Sequence, residues 1–341
     1  MKVAPLLSDA ARPEAFDRAV ATLSAGSKTF RLAARLLPAE ALRWGAIVYT
    51  FCRYADDAVD EAADPLAAAD QVARLRGQLA GSLPASDPML LFREFCDRSP
   101  VFRASAEALL DGVSSDLRPA RFEGDEELLR YAYGVAGTVG LLMCGVIGVR
   151  EARAYPHAID LGIAMQITNI CRDVADDAAM GRRYLPASRL RAAGATVTAE
   201  AVLPDEQDAP RVAVVIRDLI ELADRYYRSA DEGMRFIPLR TRVGMLAAAR
   251  LYRRIGVKLI RQGANYRAGR TVVGPVEKCW AICTALVALC SLGLEALLPY
   301  RGHATGLHQA LRGLPGTSAV SGRRDSAADD RTLLGETHRL A

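Results

Sequence analysis

Histidine is scarce in this chain: four in 341 residues, at 157, 303, 308 and 338. Three of them fall in a Gly-, Ser- and Arg-rich tail, so a Ser-His-Asp or Cys-His mechanism has little to stand on. Aromatic residues make up only 6% and form no stripe interleaved with basic residues, and the net charge is a mere +4. A nucleic-acid partner is thereby excluded as an expectation. The seven cysteines are scattered, odd in number and free of any CxxC pair. Neither a disulfide framework nor a zinc site is indicated, and a reducing, cytoplasmic setting is expected. No N-terminal hydrophobic run suggests a signal peptide, and no Gly/Ser- or Pro-rich linker divides the chain internally. Residues 279–294 carry no charge. As a helix they would span about 24 Å, short of a bilayer core of about 30 Å. They read as a buried terminal helix, with membrane-surface contact as the alternative.

What is present is apolar and helical. Hydrophobic residues reach 51%, ample for a large core. The stretch from Met165 to Pro186 places Gln166, Asn169, Asp173 and Asp177 at spacings of three, four and four. Residues so spaced share one helical face. Around them stand Ile163, Ile167, Ile170 and Val174, so a narrow polar seam runs along an apolar helix. Two carboxylates one turn apart repel each other, and a cation between them removes that cost. Oxygen ligands without His or Cys suit Mg²⁺, with Mn²⁺ as a substitute. Arg172, Arg182 and Arg183 add the positive charge that binds phosphate.

A single acidic pair on a helix is usually a solvated face. Here, however, the chemistry recurs upstream: Tyr49, Arg53, Asp56 and Asp60 are spaced four, three and four on another apolar helix. Two such seams can face each other across a helical bundle and hold metal there.

Four blocks also carry a resemblance: GSKTF from Gly26 to Phe30, YTFCRYADDAVDE from Tyr49 to Glu61, YAYGVAGTVGLLM from Tyr131 to Met143, and QITNICRDVADD…GRRYLP from Gln166 to Pro186. In order and separation they resemble the squalene/phytoene synthases, the head-to-head trans-isoprenyl diphosphate synthases, and most of all the bacterial phytoene synthases. The resemblance implies an all-α, single-domain helical bundle of the isoprenoid synthase type with a central cavity. It would occupy residues 14–298, between a loose arm at 1–13 and a tail at 299–341 expected to lack order.

The resemblance further implies condensation of two geranylgeranyl diphosphates to phytoene through a cyclopropyl diphosphate, in carotenoid biosynthesis and without NADPH. A farnesyl-using squalene, presqualene diphosphate or dehydrosqualene synthase is the alternative, and a class I terpene cyclase a more distant one. Carried over residue by residue, Asp56, Asp60, Asp173, Asp177, Arg53 and Tyr252 would be catalytic. Asp56, Asp60, Asn169, Asp173 and Asp177 would hold the metal. Substrate would meet Gly26, Ser27, Lys28, Thr29, Tyr49, Arg53, Tyr133, Gln166, Asn169, Arg172, Tyr252 and Arg270. Besides prenyl diphosphates, contact with the inner membrane surface and with other carotenoid-pathway enzymes stays open.

Two further stretches have a split reading. The apolar run 125–149 contains Gly134, Gly137, Gly140, Gly145 and Gly148. Each glycine costs a helix about 0.5–1 kcal/mol relative to alanine, so something must compensate. Close helix packing is one answer; room for a prenyl chain is the other, and the resemblance favours that tunnel. Asp111, Ser115 and Asp116 read as a solvated face.

Overall fold

The computed structural model describes residues 7–26, 37–198, 201–274, 277, 284–285, 300 and 302–317. Twelve α-helices are found among them: α1 Arg12–Gly26, α2 Ala39–Asp60, α3 Pro65–Ala80, α4 Asp87–Asp97, α5 Pro100–Ser114, α6 Asp125–Ala132, α7 Thr138–Val146, α8 Tyr155–Arg172, α9 Val174–Ala179, α10 Ala187–Ala192, α11 Ala209–Gly233 and α12 Leu239–Arg261. No strand occurs among the described residues; one isolated bridge joins Arg121 to Arg183. The all-α expectation holds.

Local chemistry sets the helix ends. Asp64 caps α3, accepting from the Leu66 and Ala67 amides, and Pro65 begins the helix where a missing N–H costs nothing. Gly81, at φ +80°, closes the same helix in the left-handed conformation that L side chains avoid.

The bundle is built around α8, which is buried along most of its length. It packs most extensively on α11, and also on α7 and α12. Its close approach to α7 and to the turn just before it depends on two glycines. A Cβ on Gly140 would sit 2.2 Å from the Ala158 carbonyl oxygen, and one on Gly162 would sit 2.2 Å from that of Ala136. Both neighbours are backbone and cannot yield. Gly140 therefore serves helix packing, and so does Gly134, whose Cβ would meet the Gly112 backbone at 2.9 Å; that this run also walls a prenyl tunnel remains an expectation. The same run, Asp125–Val146, is long and apolar enough to cross a membrane by length and composition, yet half of it is buried inside the bundle.

Between α6 and α7 the chain makes a π-helical turn, Tyr133–Gly137. That turn helps carry Tyr133 inward, where its hydroxyl donates to the Pro315 carbonyl at 2.8 Å. Residues 302–317 thus correct the expectation that 299–341 lacks order: they lie against the bundle, with a 3₁₀ turn at Thr305–Leu311. Tyr226 donates to the Leu307 carbonyl at 2.8 Å, and Leu311 is fully buried. The polar composition of this tail hid a few well-placed long-range contacts.

Candidate active site

The first seam lies near the C-terminal end of α2. Arg53 pairs with Asp57 at 2.8 Å and Glu61 at 3.5 Å, leaving Asp56 and Asp60 on a neighbouring strip of the same helix. Burial, then the charges of Asp60 and Asp57, pushes the Asp56 carboxyl up to about 6, with partial relief from Arg53. Tyr49 lies one turn earlier on α2, half-buried.

The second seam spans a break. Asp173 ends α8 at φ −104°, ψ 16°, and α9 begins at once. The single helix expected from the spacing is thus two helices, but the hydrogen bonds run through: the Asp173 amide donates to Asn169, and the Asp177 amide donates to Asp173, both at 2.9 Å. Gln166, Asn169, Asp173 and Asp177 consequently keep their common side. Burial first, then the Asp173 charge, pushes Asp177 up to about 7, against relief from Arg182. Asp173 is held differently, gripped by the Arg172 guanidinium and by Arg270 Nε at 3.0 Å. Tyr252 is half-buried beside this trio; burial raises its phenol, while Arg172 and Arg270 act in the opposite direction.

One residue that the sequence reading set aside links the two seams. Asp116, read above as part of a solvated face, accepts hydrogen bonds from Tyr131 and Tyr184, each at 2.9 Å. Burial raises its pKa, and its charge acts on both Asp56 and Asp177. Arg182 reaches Asp60 at 3.4 Å while offsetting Asp177 and Asp116. The loop carrying Arg182 and Tyr184 is held by backbone pairing: Arg183 donates to Ala120 at 2.8 Å, and Phe122 donates to Arg183 at 3.2 Å. No short-range pattern announces this pairing, which is why Asp116 escaped notice.

Most of the anticipated residues gather at this place, with two kinds of exception. Tyr133 does not join them; its buried hydroxyl is spent on Pro315. Gly26 ends α1, whereas Ser27, Lys28 and Thr29 lie outside the described residues, as does most of 279–294.

The donor set fits a hard divalent cation. Asn169 Oδ1 is a buried acceptor with no hydrogen-bond partner, although its amide nitrogen lies 3.4 Å from Gln166 Oε1. Asp56 and Asp177 are carboxyl groups whose negative form is disfavoured as they stand. A cation held by carboxylate and amide oxygens supplies what all three lack.

A family model described as squalene/phytoene synthase matches residues 23–277. The chain is 35% identical to a 15-cis-phytoene synthase of Pantoea ananas over 263 residues, covering 74% of this chain and 84% of that protein. It is 37% identical to a phytoene synthase of Pseudescherichia vulneris over 266 residues, covering 74% and 85%. Among solved structures, a dehydrosqualene synthase in complex with ligand superposes with a TM-score of 0.72 at 26% identity, covering 82% of this chain and 98% of that one. A squalene synthase from Alicyclobacillus acidocaldarius gives 0.65 at 23% identity over 76% and 97%, a likeness of fold alone.

Proposed function

The chain belongs to the squalene/phytoene synthase family, and on that premise we propose that its facing aspartate seams hold two prenyl diphosphates by their heads. It is a prenyltransferase of carotenoid biosynthesis, joining two geranylgeranyl diphosphates head to head to give phytoene. The observation that carries the assignment of the site is electrostatic. Asp56 and Asp177, on separate helices, are both raised, and Asp116 contributes to each.

Asp56, Asp60, Asn169, Asp173 and Asp177 would hold Mg²⁺, or Mn²⁺ in its place. When bound, the ion supplies positive charge against the diphosphate oxygens and stabilises the leaving group. Arg172 and Arg270, now spent on Asp173, are placed to exchange that partner for diphosphate oxygens. Arg53, Gln166, Tyr49, and the Gly26–Thr29 loop with Lys28 would share the remaining contacts. Tyr252 presents its phenol beside Arg172 and Arg270. Asp116 anchors Tyr131 and Tyr184, fixing two aromatic rings 4.7 Å apart next to the carboxylates. Such rings favour an allylic cation over their faces and exclude the water that would quench it. The uncharged 279–294 stretch is our candidate for contact with a membrane surface, where a C40 hydrocarbon would leave.

Incubation of the purified protein with geranylgeranyl diphosphate and Mg²⁺, without NADPH, should yield a C40 hydrocarbon. Turnover of farnesyl diphosphate alone would overturn the chain length and leave the family in place. Full activity in the presence of a chelator would remove the metal from the reading.

A further inference from the structure

Three of the four histidines converge far from the aspartate seams. His157 and Asp160 lie one turn apart near the start of α8, both buried, and Asp160 fully so. His303 and His308 come from the C-terminal segment laid against the bundle. His303 Nε2 is 2.7 Å from one Asp160 carboxylate oxygen, and His308 Nε2 is 2.7 Å from the other. Ser229 Oγ also donates to Asp160. His157 Nδ1 lies 2.8 Å from the Ser229 carbonyl oxygen, and its Nε2 lies 2.7 Å from the Tyr300 hydroxyl. Along the helix axis Asp160 and Asn169 are about 14 Å apart, so this cluster is separate from the seam.

Two features set it apart from an ordinary buried network. First, Asp160 has no Lys or Arg among its ion-pair partners in the described residues; three imidazoles surround it instead. A fully buried carboxylate requires a compensating positive charge. Second, His308 Nδ1 is buried without a hydrogen-bond partner, so among the described residues the one polar contact of that ring is the one its Nε2 makes to Asp160.

Imidazole with one carboxylate is the borderline donor set that zinc takes, whereas magnesium prefers oxygen throughout. His157, Asp160 and His303 each bring one ligand atom within 4.8 Å of the others. Zinc bonds of about 2.0–2.1 Å would set these donors about 3.4 Å from one another, drawing the wider pairs in and opening the present 2.7 Å contact of His303 with Asp160. We propose that His157, Asp160 and His303 bind a divalent transition-metal ion of zinc's type, with His308 holding the second carboxylate oxygen. Such a hydrogen bond from outside the ligand set fixes the orientation of a ligating carboxylate. The ion would fasten residues 302–317 to the central helix, a structural site additional to the Mg²⁺ of the reaction. The cysteine-based expectation of no zinc site does not bear on it, because none of the donors is sulfur.

The test uses the full chain without a histidine tag, stripped with chelator and then titrated with Zn²⁺ or Co²⁺. With excess Mg²⁺ present to occupy the seam, one zinc or cobalt ion per chain is expected by elemental analysis, with the visible absorption of four-coordinate cobalt. The same uptake is expected in the D56N/D173N double variant, which separates this site from the seam. H303A should weaken affinity by more than about 100-fold, and H308Q by about 10- to 100-fold. A folded wild-type protein that takes up neither ion overturns the proposal. So does uptake that H303A leaves unchanged.

Discussion

The central helix α8 carries carboxylates in two settings, and the contrast separates a structural site from a reactive one. Asp160, near its beginning, is fully buried, and both of its oxygens accept hydrogen bonds. At its far end Asp173 is followed one turn later by Asp177, with Asp116 from another element adding negative charge. There the amide oxygen of Asn169 has no partner. A carboxylate that the fold grips by both oxygens, alone or together with the structural ion proposed above, holds the fold. Carboxylates left crowded together, beside an orphaned acceptor, are arranged for something that arrives later. The seam is therefore expected to cost stability while it supplies function.

The largest expected effect breaks the seam. Asp56→Asn and Asp173→Asn should each lower turnover with geranylgeranyl diphosphate by at least about 100-fold, the scale of removing one transition-state electrostatic contact. Asp56→Asn should not lower the melting temperature of the metal-free protein, because it removes one of a set of like charges, whereas Asp173→Asn also gives up the Arg172 and Arg270 pairs and should lower it modestly. Turnover within a few-fold of wild type, measured in saturating Mg²⁺, would end the assignment of these residues to the metal. A melting temperature of Asp56→Asn that falls with its activity would make the seam a structural feature like Asp160.

The middle of α8 joins its two ends, and a substitution there should behave in the opposite way. Gly162→Ala puts a Cβ 2.2 Å from the Ala136 carbonyl. Overpacking of this kind costs about 1–3 kcal/mol, read as a lower denaturation midpoint. Turnover should fall only as the folded fraction falls. Gly140→Leu, against the Ala158 carbonyl, should abolish use of C20 and C15 substrates together through loss of fold. Selective loss of the C20 substrate in a stable protein would instead place Gly140 on the wall of the expected prenyl tunnel.

How much of this was legible in the sequence follows from the range of each contact. The seams were legible because three- and four-residue spacings are local, and the break at Asp173 left the backbone hydrogen bonds running. Asp116 was not, since its neighbours depend on a loop pairing between residues 120–122 and 183. Tyr133 was misplaced: nothing in the sequence marks the π turn that carries it, and its acceptor lies 182 residues away. The tail failed for the opposite reason. Its average composition signals disorder, whereas residues 302–317 are held in place by a few particular side chains, His303, His308 and Leu311.

The smallest expected effect is the most discriminating, because it asks whether the seam's carboxylates are strained as they stand. Asp56 and Asp177 have folded values of about 6 and about 7, against 3.8 for the ordinary group. In the folded protein they keep protons that the unfolded chain has already released. Between about pH 4 and pH 7 the folded state binds more protons, so metal-free stability should fall as pH rises through that window. Below it both states are protonated and the contribution vanishes; above it both are ionised and the penalty is constant. Because Asp56 is crowded by protein yet still reached by water, the effect is tempered, and a shift of only a few degrees in melting temperature is expected. Other groups titrate in the same range, so the quantity to read is the difference between wild type and the D56N/D177N variant at each pH. That difference should widen towards neutral pH in the presence of chelator, with the variant the more stable. Added Mg²⁺ should close it near neutrality and do little near pH 5, where the carboxyl groups still hold their protons. A difference independent of pH would mean that the two carboxylates are already balanced by Arg182 and Arg53, and that the seam is no more strained than Asp160.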